Sequence, residues 1–341
     1  MRVMQIEGDW GLDNIRLAER PDPAPEPGQV VVKMKAASIN FRDTVMVNRG
    51  YGRRSGELPL VPLSDGAGMV EAVGDGVSRV AVGDLVCPVF GQNWLHGTFR
   101  EEYWSGTLGG PNDGTLQEKM LMPESGLVKA PAHLSAVEAA ALPCAAVTAW
   151  NALVEQGQIK AGDSVLVQGT GGVSLFALQF AKMHGAEVVA TSSSDNKLAK
   201  AREMGADHLI NYKGTPDWAR TARAVLGRAV DHIVEVGGAG TLEQSLRAVR
   251  PGGIISLIGV LSGGDGNLNL GPVVTQNIRL QGVTVGSRTM FENMNRAISM
   301  YGMKPMVDEA HQFTFEDVAE ALRAFPQGRH FGKVCGLAWD A

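Results

Sequence analysis

The feature that most constrains the fold is a regular alternation of short apolar runs and helical segments between residues 164 and 287. The sequence predicts six strands in this region, at residues 164–169, 187–193, 208–212, 231–238, 252–260 and 278–287. Helical patterns lie between the first five of them. Strands separated by helices of about 10 to 15 residues are typical of a parallel sheet with helices on both faces. We therefore predict an α/β fold with a doubly wound, six-stranded parallel sheet.

A glycine-rich turn connects the first of these strands to its helix. It reads Gly169-Thr170-Gly171-Gly172-Val173-Ser174, a variant of the dinucleotide fingerprint in which Ser174 replaces the last glycine. Glycine permits the tight turn and the close approach of a pyrophosphate, and the helix N-terminus presents N–H groups and the positive end of its dipole. A plain tight turn is the alternative, but the position between strand and helix favours a dinucleotide site.

The end of the second strand indicates which cofactor is bound. An NAD site needs a carboxylate about 20 residues after the turn, whereas this chain has Thr191, Ser192, Ser193 and Ser194. These hydroxyls leave room for a 2′-phosphate, and Lys197 adds a positive charge one turn later. Tyr212 follows the third strand, and Asp195 is expected to cap the next helix. The sequence favours NADPH; a serine-rich helix cap that binds no phosphate is the alternative.

The remaining segments have mixed structure. The first 125 residues contain short strand patterns (29–38, 66–77 and 79–90) with frequent Gly and Pro, which indicates a small barrel or sandwich. Residues 91–118 form a long polar and aromatic excursion. A helical stretch at 134–157 has Ser135 as N-cap and is interrupted at Pro143. The tail predicts a helix at 291–302, a strand at 311–315, an amphipathic core helix at 316–325 and a strand at 330–338.

Composition excludes several function classes. Lys and Arg total 31 and Asp and Glu total 36, so the net charge of 31 − 36 = −5 gives no sign of nucleic-acid binding. The three cysteines, Cys87, Cys144 and Cys335, are too few and too widely separated for a disulfide framework. No apolar run has the length of a signal core or membrane span, so a cytoplasmic protein is expected.

Several stretches together resemble a known family. They are KMKAASINFRD (33–43), the run 59–86, LPCAAVTAWNALV (142–154), the runs 162–182 and 190–212, GGIISLIGV (252–260) and HFGKV (330–334). In this order they resemble the zinc-independent, quinone-oxidoreductase-like branch of the medium-chain dehydrogenases/reductases. The resemblance implies a GroES-like catalytic domain (1–130, with a return at 288–341) and an NADPH-binding Rossmann domain (131–287). It also implies a site in the cleft between them and a homodimer acting on a small molecule.

The resemblance also carries a test for zinc. Zinc alcohol dehydrogenases of this superfamily have a catalytic Cys in the segment that here reads Ile39-Asn40-Phe41-Arg42-Asp43, and a His-Glu pair where this chain has Ser64-Asp65. Their structural zinc lobe would fall in 91–118, which has no cysteine. His96 and Cys87 alone do not make a site. We therefore expect no metal, and Cys87 is interpreted as a buried small residue.

The resemblance assigns the remaining site residues. Asn40 lies at the nicotinamide-ribose and substrate end, Thr148 lies beside the nicotinamide, and Lys333 reaches the cofactor. Three more candidates follow strand ends, where the crevice of a doubly wound sheet lies: Gly237, Gly259 and Ser287.

A proton donor is harder to assign. Tyr51 is a candidate acid, with a packed loop aromatic as the equal alternative. For Arg42 and Asp43 a structural ion pair is favoured over substrate contact. For Trp94 and Trp104 loop packing is favoured over a pocket wall.

These features support three functional hypotheses. The first is a zinc-independent, NADPH-dependent oxidoreductase that transfers hydride to a quinone or an α,β-unsaturated carbonyl, because such acceptors need no Lewis acid. The second is a non-catalytic NADPH-binding protein. The third is a zinc-free alcohol dehydrogenase, which ranks lower among the enzymes because no base for alkoxide formation is visible.

Overall fold

The computed structural model describes residues 1–339 and divides the chain into two compact units. One unit comprises residues 1–147 with the chain from 286 onward, and the other is Thr148–Val285. The sequence placed 131–147 and 286–287 in the dinucleotide domain, whereas the contacts group them with the first unit.

The described chain contains strands and helices that we number in chain order. The strands are β1 (Arg2–Ile6), β2 (Ile15–Glu19), β3 (Gln29–Ile39), β4 (Asp65–Val73), β5 (Leu85–Pro88), β6 (Lys119–Pro123), β7 (Leu127–Lys129), β8 (Ser164–Gln168), β9 (Glu187–Ser192), β10 (His208–Asn211), β11 (Val230–Glu235), β12 (Val249–Leu257), β13 (Arg279–Gly282), β14 (Phe313–Thr314) and β15 (Val334–Leu337). The α-helices are α1 (Phe41–Met46), α2 (Ala136–Ala140), α3 (Val147–Trp150), α4 (Gly172–Met183), α5 (Asp195–Glu203), α6 (Trp218–Leu226), α7 (Leu242–Ala248), α8 (Gly271–Thr275), α9 (Arg288–Tyr301) and α10 (Val318–Ala324).

The second unit has the predicted α/β architecture. Its six strands pair in parallel in the order β10-β9-β8-β11-β12-β13. This is the 3-2-1-4-5-6 order of the Rossmann fold, and the order reverses between β8 and β11. Strand β8 is buried along its whole length, as expected for a strand covered on both faces. The predicted fold class is confirmed.

The first unit is built on a seven-stranded sheet. Its path is β14-β15-β3-β4-β5-β7, with β6 paired antiparallel to β3. β3 is the longest strand, and its apolar side chains pack in a core with those of α10, where Val318 and Leu322 are buried. The amphipathic helix of the tail is therefore core, as its pattern predicts.

Some local features differ from the sequence interpretation. The two-stranded sheet of β1 and β2 was not predicted. In the predicted stretch 79–90 the turn at Gly83-Asp84 is present, with a φ of +91° at Gly83, but only Leu85–Pro88 after it forms a strand, β5. The interruption near Pro143 is confirmed: α2 ends at Ala140, and Pro143 lies in the first turn of the π-helical segment Leu142–Ala146, where its missing N–H costs nothing.

Two helix caps can be compared directly with the prediction. Ser135 caps α2 in a capping box with Glu138, as predicted. The cap of α5 is Ser194, whose Oγ accepts the N–H of Lys197, so the prediction that Asp195 caps this helix is wrong. None of the helices in residues 1–339 combines the length and apolar character needed to cross a membrane.

Candidate functional site

Three neighbouring strands of the first unit converge on one polar cluster. Val334 of β15 pairs with Ile39 of β3, and Ser38 of β3 pairs with Asp65 of β4. Lys333 precedes Val334 and Asn40 follows Ile39, so the antiparallel register sets these two residues side by side. The cluster therefore consists of Asn40, Asp65 and Lys333, which come from distant parts of the chain.

The side chain of Lys333 is buried in this cluster. Its residue is 2% exposed, and its Nζ donates to Asn40 Oδ1 at 2.6 Å and to the Ile39 carbonyl at 2.9 Å. Asp65 Oδ2 lies 3.8 Å from the same Nζ. A buried lysine is retained only when it is paired and hydrogen-bonded, and these three oxygens meet that need.

The Asp65 carboxylate has partners on both of its oxygens. Oδ1 accepts from Ser64 Oγ at 2.7 Å, and Oδ2 accepts from the backbone N–H of Cys144 at 2.9 Å. The residue is fully buried. Both oxygens of the Asp65 carboxylate are therefore held by neighbouring donors, which fits a structural role in the cluster.

The turn that follows Asn40 is held by Asp43. Its Oδ2 accepts the Asn40 backbone N–H at 2.8 Å, and its Oδ1 lies 3.2 Å from Arg42 Nη1. Arg42 also donates to the carbonyls of Leu108 and Gly110. The favoured interpretation of Arg42 and Asp43 as an ion pair is confirmed. Burial raises the pKa of the Asp43 carboxyl to about 6, although the nearby Arg42 opposes this shift.

Tyr51 lies at the start of a 3-10 turn, Gly52–Ser55, and is 44% exposed. Desolvation raises the pKa of its phenol, the nearby Arg42 guanidinium opposes this shift and the Asp43 carboxylate adds to it. The phenol is therefore near the Asn40 turn and keeps its proton at neutral pH. Its predicted role as the acid stays a prediction.

The excursion at 91–118 is packed mainly through aromatic rings. Trp94 is 4% exposed, and its ring contacts those of Phe99 and Tyr103. Trp104 packs edge-to-face on Phe99, and the Arg54 guanidinium lies over the Trp104 ring, 5.1 Å from the ring centre. The favoured interpretation of both tryptophans as loop packing agrees with these contacts.

In the second unit, the glycine-rich turn joins β8 to α4 as predicted. Gly169 has a φ of +72° and Gly171 is the N-cap of α4. A Cβ added to either glycine would meet nothing within 4 Å. Behind the turn, the Oγ of buried Ser174 donates to the Gln168 carbonyl at 2.6 Å. The turn thus leaves open space above backbone N–H groups at a helix N-terminus, which fits the pyrophosphate of a dinucleotide.

The remaining residues of the fingerprint lie in the turn and at the start of α4. Thr170 is buried, and Gly172 and Val173 form the first turn of α4.

The serine-rich end of β9 lies beside this turn, because Gly169 donates its N–H to the Thr191 carbonyl. Ser192 Oγ accepts the N–H of Ser194, and Ser194 Oγ is used by the cap of α5. Ser193 is partly exposed between them. The Asp195 carboxylate is occupied by the Asn211 side-chain amide at 2.8 Å.

Tyr212 and Lys197 border the same end of the sheet. Tyr212 donates its N–H to the Ser192 carbonyl and is 43% exposed. Lys197 lies in the first turn of α5. The structure therefore brings the predicted 2′-phosphate residues to one end of the sheet.

Sequence reasoning missed a buried hub at the end of β11. Glu235 is fully buried, and its carboxylate accepts from the Gly237 and Gly238 N–H groups at 2.8 and 3.0 Å. It also accepts from Thr241 Oγ1, Ser245 Oγ and Gln168 Nε2, at 2.5, 2.5 and 2.6 Å. A glutamate inside the apolar run 231–236 was the available signal, because a charged residue is rarely buried without partners.

Four further residues were predicted to line the cofactor site, and they lie in or after elements of both units. Thr148 is buried in α3, and Gly237 and Gly259 follow β11 and β12. At both glycines a Cβ would clash, with Thr241 Oγ1 and with the Val236 carbonyl respectively. Ser287 is the N-cap of α9 and belongs to the first unit. Its hydroxyl accepts the Met290 N–H, so a structural role accounts for it.

Of the three cysteines, Cys87 and Cys335 are buried and Cys144 is partly exposed. Cys87 is fully buried, and its thiol contacts the Ala139 carbonyl, as its interpretation as a core residue predicts. Burial raises the pKa of all three thiols, that of Cys335 to about 12. Within residues 1–339 there is no group of three or more His, Cys, Asp or Glu side chains that could hold a metal ion.

Comparisons with known proteins agree with both units. Residues 26–132 match the alcohol dehydrogenase GroES-like domain, and residues 172–300 match the zinc-binding dehydrogenase family. A zinc-type alcohol dehydrogenase-like protein of Schizosaccharomyces pombe, C1773.06c, is 43% identical over 332 residues, which cover 95% of each chain. This chain belongs to the medium-chain dehydrogenase/reductase superfamily. It is an oxidoreductase with a nicotinamide cofactor site.

Two solved structures show the range of activities among its relatives. An NAD-dependent alcohol dehydrogenase is 34% identical with a TM-score of 0.88, and 99% of each chain is covered. The 2-octenoyl-CoA carboxylase reductase CinF, solved with NADP and 2-octenoyl-CoA, is 26% identical with a TM-score of 0.83, covering 99% of this chain and 87% of the other. The relatives therefore differ in both cofactor and substrate class.

Proposed function

We propose that this protein is a zinc-independent, NADPH-dependent reductase of quinones or α,β-unsaturated carbonyl compounds. The observation that carries the proposal is the composition of the buried cluster in the first unit. In this cluster Asn40 Nδ2 is a buried donor without a partner among residues 1–339, whereas both oxygens of the Asp65 carboxylate already accept hydrogen bonds. Donors stabilise negative charge that develops on a carbonyl oxygen, whereas alcohol oxidation needs a group that removes a proton.

The choice of NADPH rests on the end of β9. The hydroxyls of residues 192–194 and the cation Lys197 are suited to a 2′-phosphate, and the Asp195 carboxylate accepts a hydrogen bond from the Asn211 amide. The open space above Gly169 and Gly171 supports a pyrophosphate at the α4 N-terminus. When bound, NADPH supplies the hydride. The chain's own residues hold the acceptor oxygen and position the reactants.

The proton that completes the reduction has one candidate donor in the first unit. The Tyr51 phenol is partly exposed, remains protonated at neutral pH and is acted on by Arg42 and Asp43. We propose that it donates a hydrogen bond, or a proton exchanged with water, to the enolate oxygen. Tyr51→Phe should then lower kcat on enones without weakening NADPH binding.

The proposal is tested with purified protein and a panel of quinones, enones and simple alcohols. We expect NADPH oxidation with the first two groups, a preference for NADPH over NADH, and little NADP⁺ reduction with alcohols. A second candidate, zinc-free alcohol oxidation, is favoured by the alcohol dehydrogenase among the relatives. Cofactor reduction by alcohols, with no activity on enones or quinones, would replace the first proposal by the second.

Two accompanying expectations come from the family resemblance. We propose a homodimer, which light scattering of the purified protein would test, and a cytoplasmic location, which cell fractionation would test.

Tight NADPH binding without turnover on any acceptor would instead identify a non-catalytic NADPH-binding protein.

A further inference from the structure

The orientation of the Asn40 side chain is fixed by its neighbour. Asn40 Oδ1 accepts a hydrogen bond from Lys333 Nζ at 2.6 Å. A lysine ammonium has donors only, so the amide oxygen must face it. The assignment of oxygen and nitrogen in this amide, which is usually ambiguous, is therefore settled by chemistry.

The consequence is a directed donor. Asn40 Nδ2 faces away from the ammonium, and it is buried with no hydrogen-bond partner among residues 1–339. The whole residue is 9% exposed. A buried amide N–H without a partner costs free energy, and such groups are uncommon in native proteins unless a ligand or water satisfies them. An oxygen acceptor on a ligand would satisfy this one.

The backbone on both sides of Lys333 is held in place. Gly332 has a φ of +88°, and a Cβ there would lie 2.3 Å from the Met306 carbonyl. The Lys333 N–H donates to that same carbonyl, and its own carbonyl accepts from Asp308. Asp65 Oδ2 lies 3.8 Å from the ammonium, and this carboxylate is itself held by Ser64 and by the Cys144 N–H.

We propose that Lys333 is a positioning residue that acts through Asn40. Its ammonium locks the Asn40 amide so that Nδ2 donates to an oxygen of the bound reactants, either a ribose hydroxyl of the cofactor or the carbonyl oxygen of the acceptor. Lys333 itself does not contact the cofactor, in contrast to the role that the family resemblance implies. This inference rests on the proposed function for the identity of the ligands.

A double-mutant cycle on the full-length protein distinguishes the two roles. The variants are Lys333→Met, Asn40→Ala and the two combined, with Lys304→Met as a matched control at a largely exposed lysine that pairs with Glu138. NADPH affinity is measured by cofactor fluorescence, and kcat and KM are measured for an enone at saturating NADPH. Residues that act as one unit give non-additive effects.

We expect Lys333→Met and Asn40→Ala each to lower either the NADPH affinity or the kcat/KM for the enone by about tenfold. This factor is the value of one well-made hydrogen bond. The double variant should be no worse than Asn40→Ala, and Lys304→Met should resemble the wild type. A loss in NADPH affinity identifies the ribose hydroxyl as the acceptor, and a loss confined to kcat/KM of the enone identifies the carbonyl. If Lys333→Met costs the same factor with and without Asn40, then Lys333 contacts the ligand directly and the inference is wrong.

Asn40→Asp provides a second test that leaves Lys333 intact. The carboxylate still accepts the Lys333 bond, so the side chain keeps its orientation, while repulsion from the neighbouring Asp65 and Asp43 carboxyl groups should lower the melting temperature. The substitution replaces the donor by an acceptor, so either the NADPH affinity or the kcat/KM for the enone should fall by at least tenfold. Unchanged ligand binding and turnover in Asn40→Asp would overturn the inference. A wild-type protein that binds no NADPH at all would instead overturn the proposed function, and the coupling of Asn40 and Lys333 in melting temperature would still be measurable.

Discussion

At the scale of single residues, two glycines of the same turn should respond differently to alanine. Gly171 has open space around a Cβ and a negative φ of −80°, so Gly171→Ala should leave the melting temperature unchanged. The added methyl group would occupy the space we assign to the pyrophosphate. NADPH affinity should therefore fall by at least tenfold, measured by fluorescence titration.

Gly169→Ala is the contrasting variant, because Gly169 has a φ of +72°. A side chain in this left-handed region costs about 1–2 kcal/mol, so this variant should also melt at a lower temperature. Equal NADPH affinity in Gly171→Ala and the wild type would show that the turn does not hold the phosphates.

The cofactor preference should depend on Ser193. This residue is partly exposed at the end of β9, between two serines whose hydroxyls already have backbone partners. In Ser193→Asp, the new carboxylate should repel a 2′-phosphate and bind a ribose hydroxyl. The ratio of NADPH to NADH affinity should drop by more than tenfold in a competition titration. Ser193→Ala is the matched control, and a similar drop in both variants would mean that charge is not the cause.

Local sequence patterns predict site residues only where these are close together along the chain, whereas Asn40, Thr148 and Lys333 were named from the family resemblance. The fingerprint at 169–174 and the serines at 192–194 are local patterns, and the strand–helix alternation supplied their context. The bond between Lys333 and Asn40 joins residues 293 positions apart, and it depends on the antiparallel register of β15 and β3. Register is decided by the packing of whole strands, which a single sequence does not reveal.

At the scale of elements, the loop between β11 and α7 is organised by Glu235. Five donors converge on its buried carboxylate, two of them backbone N–H groups of the loop. Glu235→Gln should lower the free energy of unfolding by about 3 kcal/mol, because an amide has one acceptor oxygen and directs its own N–H groups at donors. Urea denaturation followed by circular dichroism measures this change.

Ser245→Ala is the control for this hub, since it removes one of the five donors and should cost about 1 kcal/mol. If Glu235→Gln and Ser245→Ala lower the free energy of unfolding by the same amount, the carboxylate is not the organising group of the loop.

The N-terminal turn of α1 should carry a pH dependence through Asp43. Burial raises the pKa of this carboxyl from 3.8 to about 6 in the folded protein. A raised folded-state pKa means that the group's contribution to stability is complete below pH 4 and is lost as the pH rises towards 6. The free energy of unfolding of the wild type minus that of Asp43→Asn should therefore decrease from about pH 4, continue to decrease through the folded-state pKa of about 6, and level off about one pH unit above it.

This difference is measured by urea denaturation of both proteins at several pH values. A difference that increases with pH over the same range would mean that Asp43 is ionised throughout and stabilised by Arg42, whose guanidinium lies 3.2 Å away.

The elements themselves were largely predictable, and the departures have local causes. The central strands β8 and β11 are buried throughout and contain short apolar runs, and the regular spacing of the helices identified the more exposed edge strands β10 and β13. The hairpin of β1 and β2 was missed, because a short strand beside Gly8 and Gly11 with exposed residues in β2 gives no clear alternation. The cap of α5 was assigned to the wrong neighbour because serine and aspartate are both preferred there.

At the scale of the whole molecule, the first unit is assembled from both ends of the chain. β15 and α10 come from the C-terminal part, and β15 adds to β3 of the N-terminal part. The site residue Lys333 therefore depends on correct docking of the C-terminal segment. Folding of this unit needs contacts between residues about 300 positions apart, and such long-range contacts form late and slowly.

The last prediction concerns metal. The three cysteines lie far apart in the sequence, burial holds their thiols in the protonated form, and no cluster of three potential ligands occurs in residues 1–339. A zinc site needs three or four converging ligands, with thiols in the ionised form. Dialysis against a strong chelator should therefore leave both the melting temperature and the NADPH-dependent activity unchanged. Elemental analysis should find far less than one zinc per chain, and activity that is lost to the chelator and restored by zinc would contradict the proposed chemistry.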